Sequence, residues 1–289
     1  MANLLITGAA GQLGRELKYL SQQFGGNTCH FLTREKLDIT DEQAIQEHIR
    51  RHDIDVVINC AAYTAVDKAE EEVALAQKIN AQAPGFLAKA CTQQQAFLIH
   101  ISTDYVYHNG LDRPLVESDP CCPQSVYART KLEGEIAARS YPDNSMILRT
   151  SWVYSTYGRN FVKTMARLGA DRDQLRIVYD QIGAPTYARD LAQAILQIIK
   201  NDQYRQNPGT YNFSNEGVTS WYDFALSVFT WLDIDCQVEP IRSAEYPTPA
   251  KRPTYSVLDK QLFKDTFGLA IPHWQESLWS CLDTGLAAD

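Results

Sequence analysis

The chain has 289 residues, 45% of them hydrophobic, with 27 Lys and Arg against 35 Asp and Glu for a net charge of −8. That composition builds a large core and excludes an intrinsically disordered chain; the length fits one large domain or one domain beside a smaller one. No apolar run reaches the roughly 18 residues of a membrane span, and an acidic chain whose longest Lys/Arg run is two residues is not a dedicated nucleic-acid binder.

The opening Met1–Ile6 lacks the basic and long apolar regions of a signal peptide. Seven cysteines at irregular spacing fit neither a disulfide framework nor a zinc site. Reduced thiols in a cytoplasmic protein are the expectation.

Taken in order, residues 3–7 read as a buried strand, followed by Leu13, Leu17, Leu20 and Phe24 at helical spacing. Residues 28–33 are a second strand, and Asp41 caps a helix running to about His52. A third strand, 56–61, is β-branched and apolar on both faces; residues 68–94 are helical, with Pro84 as a break or restart. A fourth strand covers 96–102, a helix 125–140 and a fifth strand 146–150. This alternation predicts an α/β fold, a doubly wound parallel sheet of Rossmann type over residues 1–150. Beyond residue 150 the rhythm loosens. Residues 160–168 and 187–200 read as helices, Ser220 with Asp223 as a capping box, 240–255 as a Pro-rich loop, and 259–267 and 272–285 as closing helices. Residues 151–289 are read mainly as a smaller substrate-binding region, with some segments returning to the main sheet.

Gly8, Gly11 and Gly14 follow the first strand directly and open the first helix. Gly8 permits the tight turn, Gly11 lets the backbone approach a pyrophosphate, and Gly14 lets the helix pack closely, while the helix N-terminus offers N–H donors to an anion. In this context the spacing signals a dinucleotide. A site for NAD usually ends its second strand in a carboxylate for the ribose 2′-hydroxyl. Here the strand ends Phe31-Leu32-Thr33-Arg34. Arg34 could meet a 2′-phosphate and points to NADPH, with NADH remaining open; the plain alternative is a solvated surface arginine. Asp38 and Ile39 could flank the adenine, and the small residues of Asn59–Thr64, Ala61 among them, let the backbone lie against the cofactor.

Tyr127 and Lys131 stand four apart, on one face of a helix. An ammonium close to a phenol lowers the phenol pKa from about 10, which would tune Tyr127 as a general acid or base; the same lysine can bind the nicotinamide ribose. Alone, the pair describes equally well a tyrosine packed on a lysine stem. Thr103, however, ends the fourth strand, where open α/β sheets bind ligands. Its hydroxyl would hydrogen-bond a carbonyl beside Tyr127. Glycine loop, Thr103 and the Tyr/Lys pair form a joint pattern.

With Asn59–Glu70, His100–Tyr107, Arg149–Tyr154, Asn160–Leu168, Asp180–Thr186 and Tyr246–Pro253, these residues resemble the extended short-chain dehydrogenase/reductase superfamily and, within it, the dTDP-4-dehydrorhamnose reductase family. The resemblance runs over most of the chain. It implies hydride transfer from NAD(P)H to C4 of a dTDP-4-keto-6-deoxy sugar, with Tyr127 protonating the C4 oxygen, Lys131 tuning it and Thr103 polarising the carbonyl. Gly11, Gln12, Leu13, Asp38, Ile39, Ala62, Tyr63 and Thr64 match family cofactor contacts; Thr103, Asp104 and Trp152 match substrate contacts. Trp152 would pack on the sugar or serve as a core aromatic. Lys251 and Arg252, in a Pro-stiffened loop, would bind the nucleotide pyrophosphate or simply be solvated. Asn160, Phe161 and Lys163 are further candidates for the nucleotide end. The related 4,6-dehydratases carry Asp-Glu after the threonine; here Asp104 is followed by Tyr105, so elimination lacks a member.

Some family members bind magnesium through glutamates at a dimer interface. Glu16 matches one, but Arg189 stands where another would fall, so no metal is expected and the chain is a monomer or a homodimer. His48 and His52 share a helical spacing but lie on a polar helix without a third ligand and are read as solvent-facing. The rivals are a reductase or epimerase of another nucleotide sugar, and a non-catalytic dinucleotide-binding regulatory subunit; relatives of the latter kind often lack the Tyr or the Lys that are both present here.

Overall fold

The computed structural model describes residues 2–108 and 110–286. β1 (Asn3–Thr7), β2 (Thr28–Leu32), β3 (Val56–Asn59), β4 (Phe97–Thr103) and β5 (Ser145–Thr150) alternate with α1 (Gln12–Phe24), α2 (Glu42–Arg51), a short α3 (Val73–Ala76), α4 (Ala83–Gln93) and α5 (Val126–Arg139). All five strands pair in parallel, in the order β5-β4-β3-β1-β2. The direction of winding reverses between β1 and β3, and in such sheets the crevice at the strands' carboxyl ends is where ligands bind.

The sheet is covered on both faces, which is why the middles of its strands are largely apolar. One face packs Leu4, Ile6, Val56, Ile58 and Ile99 against Leu13, Leu17 and Leu20 of α1. The other packs Leu5, Val57 and Leu98 against Ile45 and Ile49 of α2 and Leu87 and Cys91 of α4. The helical stretch after residue 68 opens with a 3-10 turn (Lys68–Glu70) and widens to a π-helical turn at Gln77–Gln82. It restarts as α4 with Pro84 in the first turn, where a missing N–H costs nothing.

The second half returns to this sheet. After β6 (Val153–Tyr154), α6 (Phe161–Asp171), β7 (Gln174–Val178), β8 (Ile182–Gly183) and β9 (Thr186–Tyr187), the chain forms α7 (Ala188–Lys200) and β10 (Gly209–Asn212). β10 extends the sheet beside β5, and Leu191, Ile195 and Ile198 of α7 join the α1 face of the core. β11 (Thr219–Ser220), α8 (Trp221–Leu232), β12 (Gln237–Ile241), α9 (Gln261–Phe267) and α10 (Trp274–Asp283) complete the chain. Ser220 caps α8 by accepting from the Asp223 backbone N–H at 3.0 Å. The stretch expected to be wholly loop at 240–255 begins instead as β12, which pairs in parallel with β7. Pro240 is tolerated there because β12 has one partner only. A second core, built from Tyr154, Val162, Met165, Phe224, Phe229, Trp274 and Leu278, holds this part together. No helix among the described residues is long and apolar enough to cross a membrane.

Candidate active site

A cleft of about 940 Å³ opens at the carboxyl ends of β1, β3 and β4. Its first wall is the glycine loop. Gly8 has φ +62°, and a Cβ there would lie 2.6 Å from the Ala61 backbone nitrogen, so only glycine lets β1 turn this close to β3. A Cβ on Gly14 would lie 2.6 Å from the Gly8 carbonyl oxygen; this glycine sets the helix-to-loop packing and does not itself line the cleft. Gly11 does line it, as do Gln12 and Leu13. The bare backbone of Gly11, at the N-terminus of a 13-residue helix, fits an anionic pyrophosphate.

Arg34, Asp38 and Ile39 line one end, and Ala61, Ala62, Tyr63 and Thr64 the floor. Arg34 is exposed and meets Asp38 only loosely, at 3.9 Å. Its guanidinium is thus available to an incoming group. Asp38 is engaged locally, accepting from the Thr40 backbone N–H at 2.9 Å and its hydroxyl at 2.8 Å.

Thr103, Asp104, Tyr127 and Lys131 converge on the same cleft from β4 and α5. Ser125 caps α5 through the Ala128 N–H, at 3.2 Å, and Glu70 accepts from the Val126 N–H at 2.7 Å. Both fix where the helix starts and hence where Tyr127 points. The Thr103 hydroxyl reaches Tyr127 and donates to Asp104 Oδ1 at 3.1 Å. Asp104 is 1% exposed and its Oδ2 has no hydrogen-bond partner; burial pushes its carboxyl up to about 6.

The expected lowering of the Tyr127 pKa by Lys131 is not what this geometry produces. Burial pushes the phenol up to about 12, the Thr103 hydroxyl opposes that, and Lys131 is not among the groups that move it. The reason is where the ammonium is aimed. Lys131 Nζ donates to the Ile101 carbonyl at 2.6 Å and faces His100 Nε2 at 3.5 Å. Burial lowers Lys131 to about 8 despite the nearby Glu135 carboxylate. His100 in turn meets Asn59 Nδ2 at 3.0 Å, and Asn59 Oδ1 accepts from Thr7 at 2.7 Å. His100 and Asn59 went unread as site residues; two polar residues inside otherwise apolar strands were the available signal.

Trp152 lies at the far end with φ +46°, a conformation rare for a bulky residue and held here by packing. Its ring stacks on Trp221 at 3.6 Å and 11°. A Cβ on Gly183 would lie 2.8 Å from the Trp152 indole, and the Ser151 hydroxyl donates to the Ala184 carbonyl at 2.6 Å. The Arg149–Tyr154 and Asp180–Thr186 stretches are therefore one unit that presents the indole pair. Trp221 follows the Ser220 cap and is not among the site residues expected from the sequence. It sits at the first helical position, where a side chain leans back over the preceding turn, here β11 and the cleft.

Lys251 and Arg252 do not line the cleft. Arg252 forms a bidentate pair with Asp67, at 3.1 and 2.7 Å, and Lys251 is exposed. The pairing depresses Asp67 and ties the 250 region to the loop beyond β3. Asn160 caps α6 and its Nδ2 donates to the Gln12 side chain at 3.0 Å; Phe161 packs on Trp221 at 4.6 Å. Glu16 is fully buried, accepting from Arg189 Nε at 2.8 Å and from Ser155 at 2.6 Å. His48 and His52 are not simply solvent-facing. Both are half-buried, and His30 of β2 joins them, with ring nitrogens of all three within 4.8 Å of one another. The third histidine escaped notice because it comes from another element, 18 residues upstream of His48.

Comparison with known proteins agrees with this geometry. The RmlD substrate binding domain family matches residues 1–286. A dTDP-4-dehydrorhamnose reductase of Aggregatibacter actinomycetemcomitans is 41% identical over 286 residues, covering 96% of this chain and 97% of the relative. Among solved structures, a dTDP-4-dehydrorhamnose reductase of Clostridium acetobutylicum superposes with TM-score 0.93 at 42% identity, covering 98% of this chain and 99% of the other. That of Bacillus anthracis, in complex with NADP, superposes with TM-score 0.92 at 36% identity over the same shares. The chain thus belongs to the RmlD family of Rossmann-type reductases, alongside the dTDP-4-dehydrorhamnose reductases.

Proposed function

We propose that this chain is an NADPH-preferring dTDP-4-dehydrorhamnose reductase, which reduces the C4 ketone of dTDP-4-dehydro-6-deoxy-L-mannose to dTDP-L-rhamnose. The observation that carries the reading is the meeting of Tyr127 and Thr103 with the glycine loop in one cleft, on a chain whose relatives carry that name. NADPH bound along the glycine loop and Lys131 would supply the hydride.

The protein's own share is binding, orientation and the proton. The α1 N-terminus and the Gly11 backbone take the pyrophosphate, Arg34 takes the 2′-phosphate, and Asp38 and Ile39 flank the adenine. Ala61, Ala62, Tyr63 and Thr64 form the floor. Lys131 holds the nicotinamide ribose hydroxyls; it needs only to swing from the Ile101 carbonyl. The Thr103 and Tyr127 hydroxyls converge on the C4 oxygen. A phenol held near 12 is fully protonated at neutral pH, so Tyr127 arrives as the acid that a developing alkoxide requires. Asp104 and the Trp152–Trp221 pair contact the sugar. Arg252 is a positioning residue, holding its loop to Asp67. Glu16, committed to Arg189 and Ser155, is not free to hold magnesium, and turnover proceeds without it. A cytoplasmic site of action fits the seven free thiols.

The test is an absorbance assay at the reduced-nicotinamide band with a panel of 4-keto sugar nucleotides, followed by product identification. Stoichiometric NADPH oxidation with the dTDP-4-keto-rhamnose precursor is expected. Turnover without net oxidation would instead mark an epimerase, and binding without turnover a regulatory subunit.

A further inference from the structure

Behind the cleft, on the sheet face covered by α2 and α4, three imidazoles meet. His30 stands on edge strand β2 opposite Leu5, while His48 lies in the last turn of α2 and His52 is its C-cap. The ring centroids are 4.4 Å apart for His48 and His52, 4.7 Å for His30 and His52, and 5.7 Å for His30 and His48. His48 Nε2 is inaccessible to solvent and has no hydrogen-bond partner, which is costly unless something occupies it.

We propose that His30, His48 and His52 form a three-imidazole site for a divalent transition metal of the zinc, nickel or copper class. Three nitrogens already within 4.8 Å of one another need to close to only about 3.3 Å for tetrahedral ligation at about 2.0–2.1 Å. A histidine pair one turn apart supplies two ligands from a single helix, and β2 supplies the third. Water completes the shell, because no carboxylate or thiol among the described residues joins the cluster. That donor set selects metals that favour imidazole and rejects magnesium and calcium, which demand oxygen. Two features of the surroundings bear on affinity in opposite senses. The C-terminal end of α2 carries a partial negative charge that favours a cation. Arg51 acts on His48 in the repulsive sense, although it is itself paired with Glu47. Withdrawal from water lowers both His48 and His30 below the usual imidazole range, so they stand in the neutral, ligating form.

The consequence is mechanical. β2 and α2 are joined by the segment 33–41, which carries Arg34, Asp38 and Ile39 into the cleft. A metal bridging His30 to the far end of α2 clips the two elements that hold this segment. It is independent of the catalytic reading.

The experiment is a titration of chelator-stripped protein with Co²⁺, followed by visible d–d bands, with thermal unfolding in parallel. One Co²⁺ per chain is expected, without the thiolate charge-transfer band that the exposed Cys122 would produce. Excess Zn²⁺ displaces it, and either metal raises the unfolding midpoint. In His48→Ala, and in the milder His30→Asn, the cobalt affinity falls by more than about 10-fold and the midpoint no longer responds, while circular dichroism verifies the fold. Absence of d–d bands in the unaltered protein overturns the proposal. So do bands that survive both substitutions unchanged, or bands of thiolate character.

Discussion

Lys131 and Glu135 sit one turn apart on α5, are 2% and 0% exposed, and are treated in opposite ways. Glu135 is saturated. Arg149 binds it through Nε at 3.0 and 3.2 Å and Nη2 at 2.7 Å, and the Ser102 hydroxyl adds a bond at 2.5 Å. Arg149 reaches on to the Tyr107 hydroxyl at 2.8 Å, which donates to Asn212 at 2.9 Å, so that β4, β5, α5 and β10 share one network. Lys131 has a single carbonyl at bonding distance and a neutral histidine beyond it. The nearby Asp104 keeps one oxygen, Oδ2, without a well-formed hydrogen bond, and the Thr103 and Ser256 hydroxyls only partly offset the effect of its burial. Where buried charge is fully paired it holds the sheet to the helix; where it is left short of partners it faces the cleft, and a ligand can complete it.

The sharpest way to separate the two groups is Tyr127→Phe. Turnover should fall by about 10²–10⁴-fold with no loss of resistance to urea, because the ring stays and only the hydroxyl at the cleft is removed. Retained turnover would sink the proton-donor role. Arg149→Met should do the reverse, leaving Glu135 buried and unpaired at a cost of about 3–5 kcal/mol, read as a lower urea midpoint. Arg149→Met with Glu135→Leu should recover a large part of that loss, since neither charge is then stranded.

Asp104→Asn should stabilise the protein by about 1–3 kcal/mol near neutral pH while slowing turnover. The folded chain holds this carboxyl's proton up to about 6, whereas the unfolded chain releases it near about 3.9. Folded protein therefore binds more protons between those values, and stability drops as pH rises through the window. The advantage of the asparagine variant should accordingly vanish as pH is brought down to about 4, which unfolding curves across that range would check.

Smaller effects concern the dinucleotide. Lys131, lowered to about 8 by burial, is an ammonium below that pH and a neutral amine above it. NADPH affinity of the free protein, read by fluorescence titration, should weaken several-fold as pH rises through about 8, and Lys131→Met should flatten that dependence. Arg34→Ala should narrow the preference for NADPH over NADH by a modest factor, as expected for an exposed cation. An unchanged ratio would remove Arg34 from the recognition of the phosphate.

Tyr127 and Lys131 share a helix and Thr103 ends a strand, so their convergence was legible from spacing once the alternation of elements was read. Trp221 was not, because its stacking partner Trp152 lies in another part of the chain. The tuning of Tyr127 was misjudged for a related reason. Spacing places an ammonium on the same helical face but cannot reveal that the Ile101 carbonyl competes for it.

What the chain determined by itself is what local physics controls. Apolar periodicity placed β1 to β5 and the helices between them, Ser125 and Ser220 began α5 and α8, and Gly8 turned β1 toward the first helix. Tertiary structure decided which distant groups met: Arg252 with Asp67, 185 positions apart, Arg189 with Glu16, 173 apart, and His30 with the α2 histidines. Capping and periodicity act over a turn or two of chain. Pairings of this kind depend on crossover connections and on the packing of separate faces, which no spacing within a single element encodes.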